Sequence, residues 1–479
     1  MKRVIPFKTS LRHSTPWLLV LVLTAVLTTL TTSRALTRYR EFRTGWSWDL
    51  AYYNQWFWSI TRGDGVLSVR PIAAYADEGP SAWKTNYLSP ARYLLIPIYF
   101  LWSDPEVLLV VQNVVFWWGL PAAFGLLRSE GSSNPWALAG LALVPATPLL
   151  WPLVWNDFRE LQLALPFVLW AIQGVRSRRC WLSALGIGGM LACRQEFALV
   201  VASMAILPPR NPEDVGKSYR WARTLLIVGL AWFLFGFFGY LRWMIGPSTP
   251  EAYLSQFTGP KAGLDETLAT SLDFLAVGLG AWAILACLAP RVGLLAVPWV
   301  LTLARGRWAL PLIATEQWHH VRYTALFVFL ALAAGLIGFA KVGRWLDRWP
   351  GDRWRRIGVW TLAAVSLLLA DRTMASRLAQ IPQPISTREA AEVWQWIDRV
   401  GPDDGVLAAY EVTAPLSSRR LLYSNVMDKN KPPGYPRLES VIRWVFILRD
   451  DPLAQSLSKQ GFELVHTGSA LRVYRRRLN

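Results

Sequence analysis

Apolar residues run along this chain in long blocks, near 17–32, 105–127, 135–155, 160–175, 181–193, 197–208, 222–244, 271–288, 292–304, 321–340 and 357–371, and short charged stretches separate them. A helix rises ~1.5 Å per residue, so a ~30 Å hydrocarbon layer takes about 20 residues. The pattern therefore predicts an all-α polytopic membrane bundle of about eleven transmembrane helices, two or three of them short. The first block follows a basic start, MKRVIPFKTSLRH, is longer than a signal-peptide core and lacks a small-residue cleavage site. It reads as an uncleaved first span with the N-terminus inside.

With that count the basic loops fall on one side: Arg128; Arg176, Arg178 and Arg179; 210–223; Arg291; and 341–356, whose KVGRWLDRWPGDRWRR is the strongest signal. An excess of Lys and Arg marks the cytoplasmic side. RALTRYREFR at 34–43 is basic yet falls outside; it opens a long outer loop, 34–104, where the rule is weaker. Segment 87–102, YLSPARYLLIPIYFLW, is apolar but would upset the parity as a span, so it reads as an interfacial or re-entrant helix. A transmembrane domain over 1–371 results. From Ser386 the pattern changes. STRE is a capping box, in which Ser386 caps and Glu389 reaches back, ahead of an amphipathic helix to about Val400. GPDDG is a turn, GVLAAYEV, LLYS and WVFIL are strands, DPLAQSLSKQ is a helix, and ELVHTG with LRVYRR is a final pair. Residues 386–479 thus predict a small soluble α/β domain on the extracytoplasmic face.

Composition agrees: 53% of the 479 residues are hydrophobic, 17% are charged and 28 are Trp, too apolar for a string of soluble domains. A net charge of +18 on a soluble protein would point to nucleic acid. Here the basic residues cluster between apolar blocks, as cytoplasmic loops do, and no nucleic-acid partner is expected. Cys180, Cys193 and Cys287 sit in or beside apolar blocks without CxxC spacing, which leaves no disulfide framework and no redox function. The sequence contains no GxSxG, GxGxxG, Walker or kinase motif, and no internal repeat of the kind many transporters carry.

A charge at the hydrocarbon boundary costs a few kcal/mol unless it is paired or wetted, so four polar clusters expected on the outer side are the candidate chemistry. The first is WSWDLAYYNQWFWS, where Asp49 is the only acid among aromatics. On a helix Asp49, Tyr53 and Trp56 share one face by i, i+4, i+7 spacing. Such a carboxylate suits general-base work and the grip of sugar hydroxyls, but an interfacial aromatic belt with a capping Asp explains the same letters. The second is WNDFRELQLALP, with Asp157, Arg159 and Glu160; it can bind phosphate or metal, or be an ordinary helix start capped by Asn156 or Asp157. In the third, ACRQEFALV, Arg194 and Glu196 lie between two short apolar runs, which requires a turn or a polar cavity. The fourth, TEQWHHVRYTALF, holds Glu316, His319, His320, Arg322 and Tyr323. Neighbouring histidines diverge by about 100° on a helix and make no HExxH-type chelate; contact with lipid headgroups explains them equally.

The order WDLAYYNQWFWS, NYLSPARYLLIPIYFLW, VVQNVVFWWGLPAAFGLLR, NDFRELQLALP, CRQEFALVV and RYTALFVFLALAAG, over roughly residues 15 to 475, resembles a bacterial and archaeal family of predicted multi-pass membrane proteins of unknown function placed in the GT-C glycosyltransferase superfamily. Asp49, Leu50, Gln55 and Trp58 keep the spacing of the family's first motif. Elsewhere the chain departs from it. Asn86 stands where the family has His before Ser89-Pro90, Arg159-Glu160 replace His-Pro after Asp157-Phe158, Arg194-Gln195-Glu196 replace or shift Lys-Glu-Asp, and Arg322-Tyr323 stand for His-Tyr.

The resemblance implies a GT-C-like membrane glycosyltransferase that moves a sugar from a polyprenyl-phosphate-linked donor, entering from the lipid bilayer, to an acceptor outside the cell membrane. Asp49 is then the expected base, with Asp157 and Glu196 as further catalytic carboxylates that orient arginines or a divalent metal; no cofactor is certain. Arg159, Arg194 and Arg322 are expected on the lipid phosphate, for which Arg offers bidentate bonds. Tyr53, Gln55 and Trp56 are expected on the sugar, and Asn86, His319, His320 and Tyr323 complete the substrate-binding set. A transporter or flippase of a lipid-linked or anionic substrate is the alternative; it would spread charges through mid-span positions. A scaffold presenting the C-terminal domain is a third reading, which leaves the boundary charges unexplained.

Overall fold

The computed structural model describes residues 7–43, 48–63, 70–71, 87–155, 157–244, 279–296, 325–348, 385–425 and 440–477, with single residues 357 and 361. The chain is mostly helical, with one small sheet near its C-terminus. Helix α1 (Phe7–Arg40) is followed by two helices too short to cross a membrane, α2 (Trp48–Arg62) and α3 (Ala91–Leu101). Next come α4 (Pro105–Trp117) and α5 (Gly119–Ser129), which form one long rod. Its start is encoded locally: Pro105 needs no backbone donor, and the Asp104 side chain accepts from the N–H of Glu106 at 2.8 Å.

Among the described residues four helices are long and apolar enough to cross a membrane: Thr15–Arg40, Pro105–Ser129, Ser218–Met244 and Ala325–Leu346. The described residues thus account for four of the expected eleven. Block 135–155 is broken into α6 (Asn134–Leu143), a 3₁₀ turn and α7 (Leu150–Trp155), because Pro145 and Pro148 cannot donate to the helix ladder. Block 160–175 is a 3₁₀ turn, Glu160–Ala164, running into α8 (Leu165–Ser177). The expected span 357–371 lies almost wholly outside the described residues, and 271–288 and 292–304 lie partly so. In the most apolar stretch of the helix Ala325–Leu346 89% of the residues are buried, against 28% in that of the first span, which makes this helix the centre of the bundle and α1 its rim.

Close hairpins decide which loops meet. Helix α8 turns at Arg178, in the left-handed region at φ 54°, into α9 (Cys180–Cys193). A β-carbon on Gly174 would sit 2.4 Å from the Ser183 nitrogen, and one on Gly186 2.2 Å from that of Ala171, so the glycines let the two backbones touch. Helix α10 (Phe197–Ser203) and α11 (Ser218–Leu234) repeat the device with Gly229 against Ala202. The loops after α5, α8 and α10 therefore share one end: Arg176 binds Glu130 at 2.6 and 3.0 Å, and the Arg210 N–H donates to the Arg176 carbonyl at 2.8 Å. Lys341 donates to the Leu288 carbonyl at 2.7 Å, close to Arg291 in the chain. The basic loops thus gather as the charge pattern expects, and the turns at 157–164 and 194–196 lie at the opposite end.

Six strands form the sheet: β1 (Arg70–Pro71), β2 (Gly405–Ala409), β3 (Leu422–Asn425), β4 (Ile442–Leu448), β5 (Phe462–Thr467) and β6 (Leu471–Arg476), in the order β1-β3-β2-β4-β6-β5. The first four are parallel neighbours, and β6 pairs antiparallel with β4 and β5. The expected strands are all present, but GVLAAYEV divides: Tyr410–Thr413 is a helical turn. Strand β1 comes from the long loop, far outside 386–479. The capping box is half formed. Ser386 accepts from the Glu389 N–H at 3.2 Å, but the Glu389 carboxylate turns to Ser469 and to the N–H groups of Ala470 and Leu471, at 2.9 and 3.1 Å.

Candidate functional site

Helix α2 carries the first cluster as the spacing predicts. Asp49 lies in its first turn, where the helix dipole favours a carboxylate, and Tyr53 and Trp56 follow on the same buried face. The guanidinium of Arg92, from α3, sits over both rings, 4.8 Å from the centroid of Tyr53 and 5.7 Å from that of Trp56. Gln55 and Asn54 point elsewhere. Asn54 donates to the hydroxyls of Ser417 and Ser418 at 2.8 and 3.0 Å and accepts from Tyr99 at 2.7 Å, while Gln55 donates to the Arg419 carbonyl at 2.8 Å. These bonds dock the C-terminal sheet on α2.

The second cluster reaches the first. Arg159 donates to Asp49 through Nη2 at 2.5 Å and Nε at 3.2 Å, across 110 residues of chain. Its own N–H is held by the side-chain oxygens of Gln112 and Gln162 at 3.0 and 3.1 Å. Arg159, not Asp157, stands at the N-cap position of the turn that follows; Asn156 lies outside the described residues. Asp157 is buried within electrostatic reach of Arg38. Glu160 pairs with Arg92 at 2.5 and 3.0 Å in a bridge with almost no solvent exposure. The third cluster closes the group. Arg194 and Glu196 form a buried ion pair in the turn between α9 and α10, Arg194 lies 3.7 Å from the ring centroid of Tyr87, and it is within electrostatic reach of Glu160 and Tyr53. Gln195 accepts from the Leu88 N–H at 2.9 Å.

Three of the four clusters therefore converge. The fourth, with Glu316, His319, His320, Arg322 and Tyr323, lies outside the described residues, as does Asn86. Arg92 is the residue that sequence reading passed over, although a lone cation in the apolar stretch 87–102 demands a buried carboxylate. Tyr410 was also passed over. The helical turn that carries it packs on α2, and burial first, then the nearby Asp49 and Glu411 carboxylates, push its phenol up to about 12. It stays protonated at neutral pH and can donate. Among the described residues no three His, Cys, Asp or Glu side chains gather to hold a metal. The arrangement is a set of guanidinium groups, each compensated by a carboxylate, in surroundings that strengthen every charge interaction.

These features define a helical membrane protein with a charged site at one end of its bundle, under a small mixed sheet. The chain matches the family described as predicted membrane protein (DUF2079) over residues 41–461 and belongs to it. Its fold is similar to that of ArnT from Cupriavidus metallidurans bound to undecaprenyl phosphate, with TM-score 0.54 and 12% identity over 96% of this chain and 98% of that one. The apo ArnT structure gives TM-score 0.53 and 14% identity over the same shares. No curated protein matches the chain.

Proposed function

We propose that the chain is a GT-C type glycosyltransferase of the cell membrane, moving a sugar from a polyprenyl-phosphate-linked donor to an acceptor on the extracytoplasmic face. One observation carries the reading: Asp49, Arg159, Glu160, Arg92 and Arg194, distant in sequence, meet at the end of the bundle away from the basic loops. The similarity to a fold that holds undecaprenyl phosphate supports it. On this reading the N-terminus is cytoplasmic, 386–479 is outside, and the chain crosses the membrane about eleven times. The acceptor hydroxyl attacks the anomeric carbon, the carbon–oxygen bond to phosphate breaks, and the polyprenyl phosphate leaves. Asp49 takes the hydroxyl proton, Arg159 and Arg194 steady the leaving phosphate, and Glu196 orients Arg194, while Asp157, within electrostatic reach of Arg38, supports the edge of the site. Tyr53 and Trp56 shape the sugar pocket.

The test is release of polyprenyl phosphate from a radiolabelled lipid-linked sugar in proteoliposomes. Asp49→Asn should lower release by about 10²–10⁴-fold while the protein still inserts. Parent-like release by that variant rejects Asp49 as base. Movement of the intact donor across the bilayer without release would establish the flippase instead.

A further inference from the structure

At the end of the bundle away from Asp49, Arg210 from the loop after α10 and Arg344 from the last turn of the helix Ala325–Leu346 meet over one glycine. Arg210 Nη2 and Arg344 Nη1 lie 3.3 and 3.6 Å from the point where a β-carbon on Gly131 would stand, so the guanidinium groups are within about 7 Å of each other. Gly131 is in a left-handed conformation at φ 89°, just past the end of α5. Among the described residues neither arginine has a carboxylate in salt-bridge range, since the adjacent Glu130 is engaged by Arg176. Beside Gly131, Ser132 is 1% exposed and its hydroxyl has no hydrogen-bond partner among the described residues. The carboxyl ends of α5 and of the helix Ala325–Leu346, in whose last turn Arg344 sits, each supply roughly half a negative charge, together less than two guanidinium groups require. Segments 128–132, 176–179, 210–220 and 341–348 carry ten basic residues against four acidic ones. Arg210 is exposed and Trp345 is half exposed beside Arg344, as at a membrane–water boundary.

We infer that Arg210, Arg344 and Ser132 form a phosphate-binding site, filled by the headgroup of an anionic phospholipid or by free phosphate. Two forks of N–H donors and a hydroxyl match the oxygens of a phosphate, and the anion supplies the charge that the paired guanidinium groups lack. The site is separate from the transfer reaction and does not rest on it.

Native mass spectrometry of the purified full chain tests this, with phosphatidylglycerol and phosphatidylcholine offered together. In parallel, thermal unfolding is followed with and without inorganic phosphate. Preferential retention of phosphatidylglycerol, cut about tenfold in Arg210→Gln/Arg344→Gln, identifies a lipid site; protection by inorganic phosphate alone, lost in the same variant, identifies a free-phosphate site. Should the double variant fail to fold, Ser132→Ala and Arg344→Lys are read instead, each expected to weaken binding about threefold to tenfold. No lipid preference together with no phosphate protection overturns the site. Parent-like binding in the double variant, or in both substitutes for it, does the same.

Discussion

Among the ionisable side chains of the candidate site, Arg92 and Glu160 are the most deeply buried pair. Removing one partner leaves the other charged and unsolvated, so Arg92→Ala or Glu160→Gln should cost about 3–5 kcal/mol. Arg92→Met with Glu160→Leu removes both charges at similar volume and should recover most of that loss, since an apolar pair is often as stable. Unfolding in detergent, followed by Trp fluorescence, checks the order of the variants. Equal stability of single and double variants would show that the pair is not coupled. Asp49 and Arg159 need the same separation of roles. Asp49→Asn strips the guanidinium of its charged partner, and Arg159→Gln in the same chain relieves that. Stability should return in the double variant, which separates the cost of the broken ion pair from the loss of transfer that a base role predicts for Asp49→Asn alone.

The elements set how these residues meet. Arg194 reaches the neighbourhood of Glu160 because α8 and α9 lie backbone to backbone at Gly174 and Gly186. Gly186→Val would drive methyl groups into the Ala171 backbone and should cost about 1–3 kcal/mol, with the hairpin splayed and transfer reduced. Gly188, two residues on, has no atom within 4 Å of its β position. Gly188→Ala should therefore be neutral or stabilising by up to about 1 kcal/mol, since alanine is the better helix former. Thermal midpoints of the two variants compare the cases directly; a parent-like Gly186→Val would refute the close contact. The seven-residue π turn Phe235–Leu241 in the span Ser218–Met244 places Gly236 against Gln195, so the second hairpin closes on the site as well.

Across the whole molecule the sheet is seated on the bundle through α2 and through the helix Thr387–Ile397. Trp394 of that helix donates to the Arg40 carbonyl at 2.8 Å and packs on Phe42, and Glu389 ties its first turn to the β5–β6 connection. Burial pushes the Glu389 carboxyl up, but the Ser469 hydroxyl and the N–H groups of Ala470 and Leu471 win and hold it below its usual range. A depressed carboxylate stabilises the fold above its unfolded value of about 4.3, and that stability is lost as pH falls through the folded value. Glu411 works the other way, because burial holds its carboxyl above the usual range. Glu389→Gln isolates the first effect. It should make residues 385–477 more protease-sensitive at neutral pH, by about 1–3 kcal/mol of opening free energy, and flatten the loss below about pH 4. Proteolysis across pH 3–7 reads both; an unchanged pH profile would show that Glu389 is not the group responsible.

The local pattern determined much of this. Apolar blocks of helical length placed the long spans, the i, i+4, i+7 spacing placed Asp49, Tyr53 and Trp56 on one buried face, and alternation near the end placed the C-terminal strands. The loop charges anticipated that the basic turns would share one end. The partners could not be read, because periodicity describes one element at a time and an ion pair belongs to two. Nothing local tells Arg92 to choose Glu160, 68 residues away, sends the Glu389 side chain forward to residues 469–471 rather than back to its cap, or carries Arg70–Pro71 across to β3. Tertiary structure decided these. Glycine contacts bring backbones within touch, and buried charge then pairs with whatever carboxylate the hairpins present, since leaving it alone costs several kcal/mol.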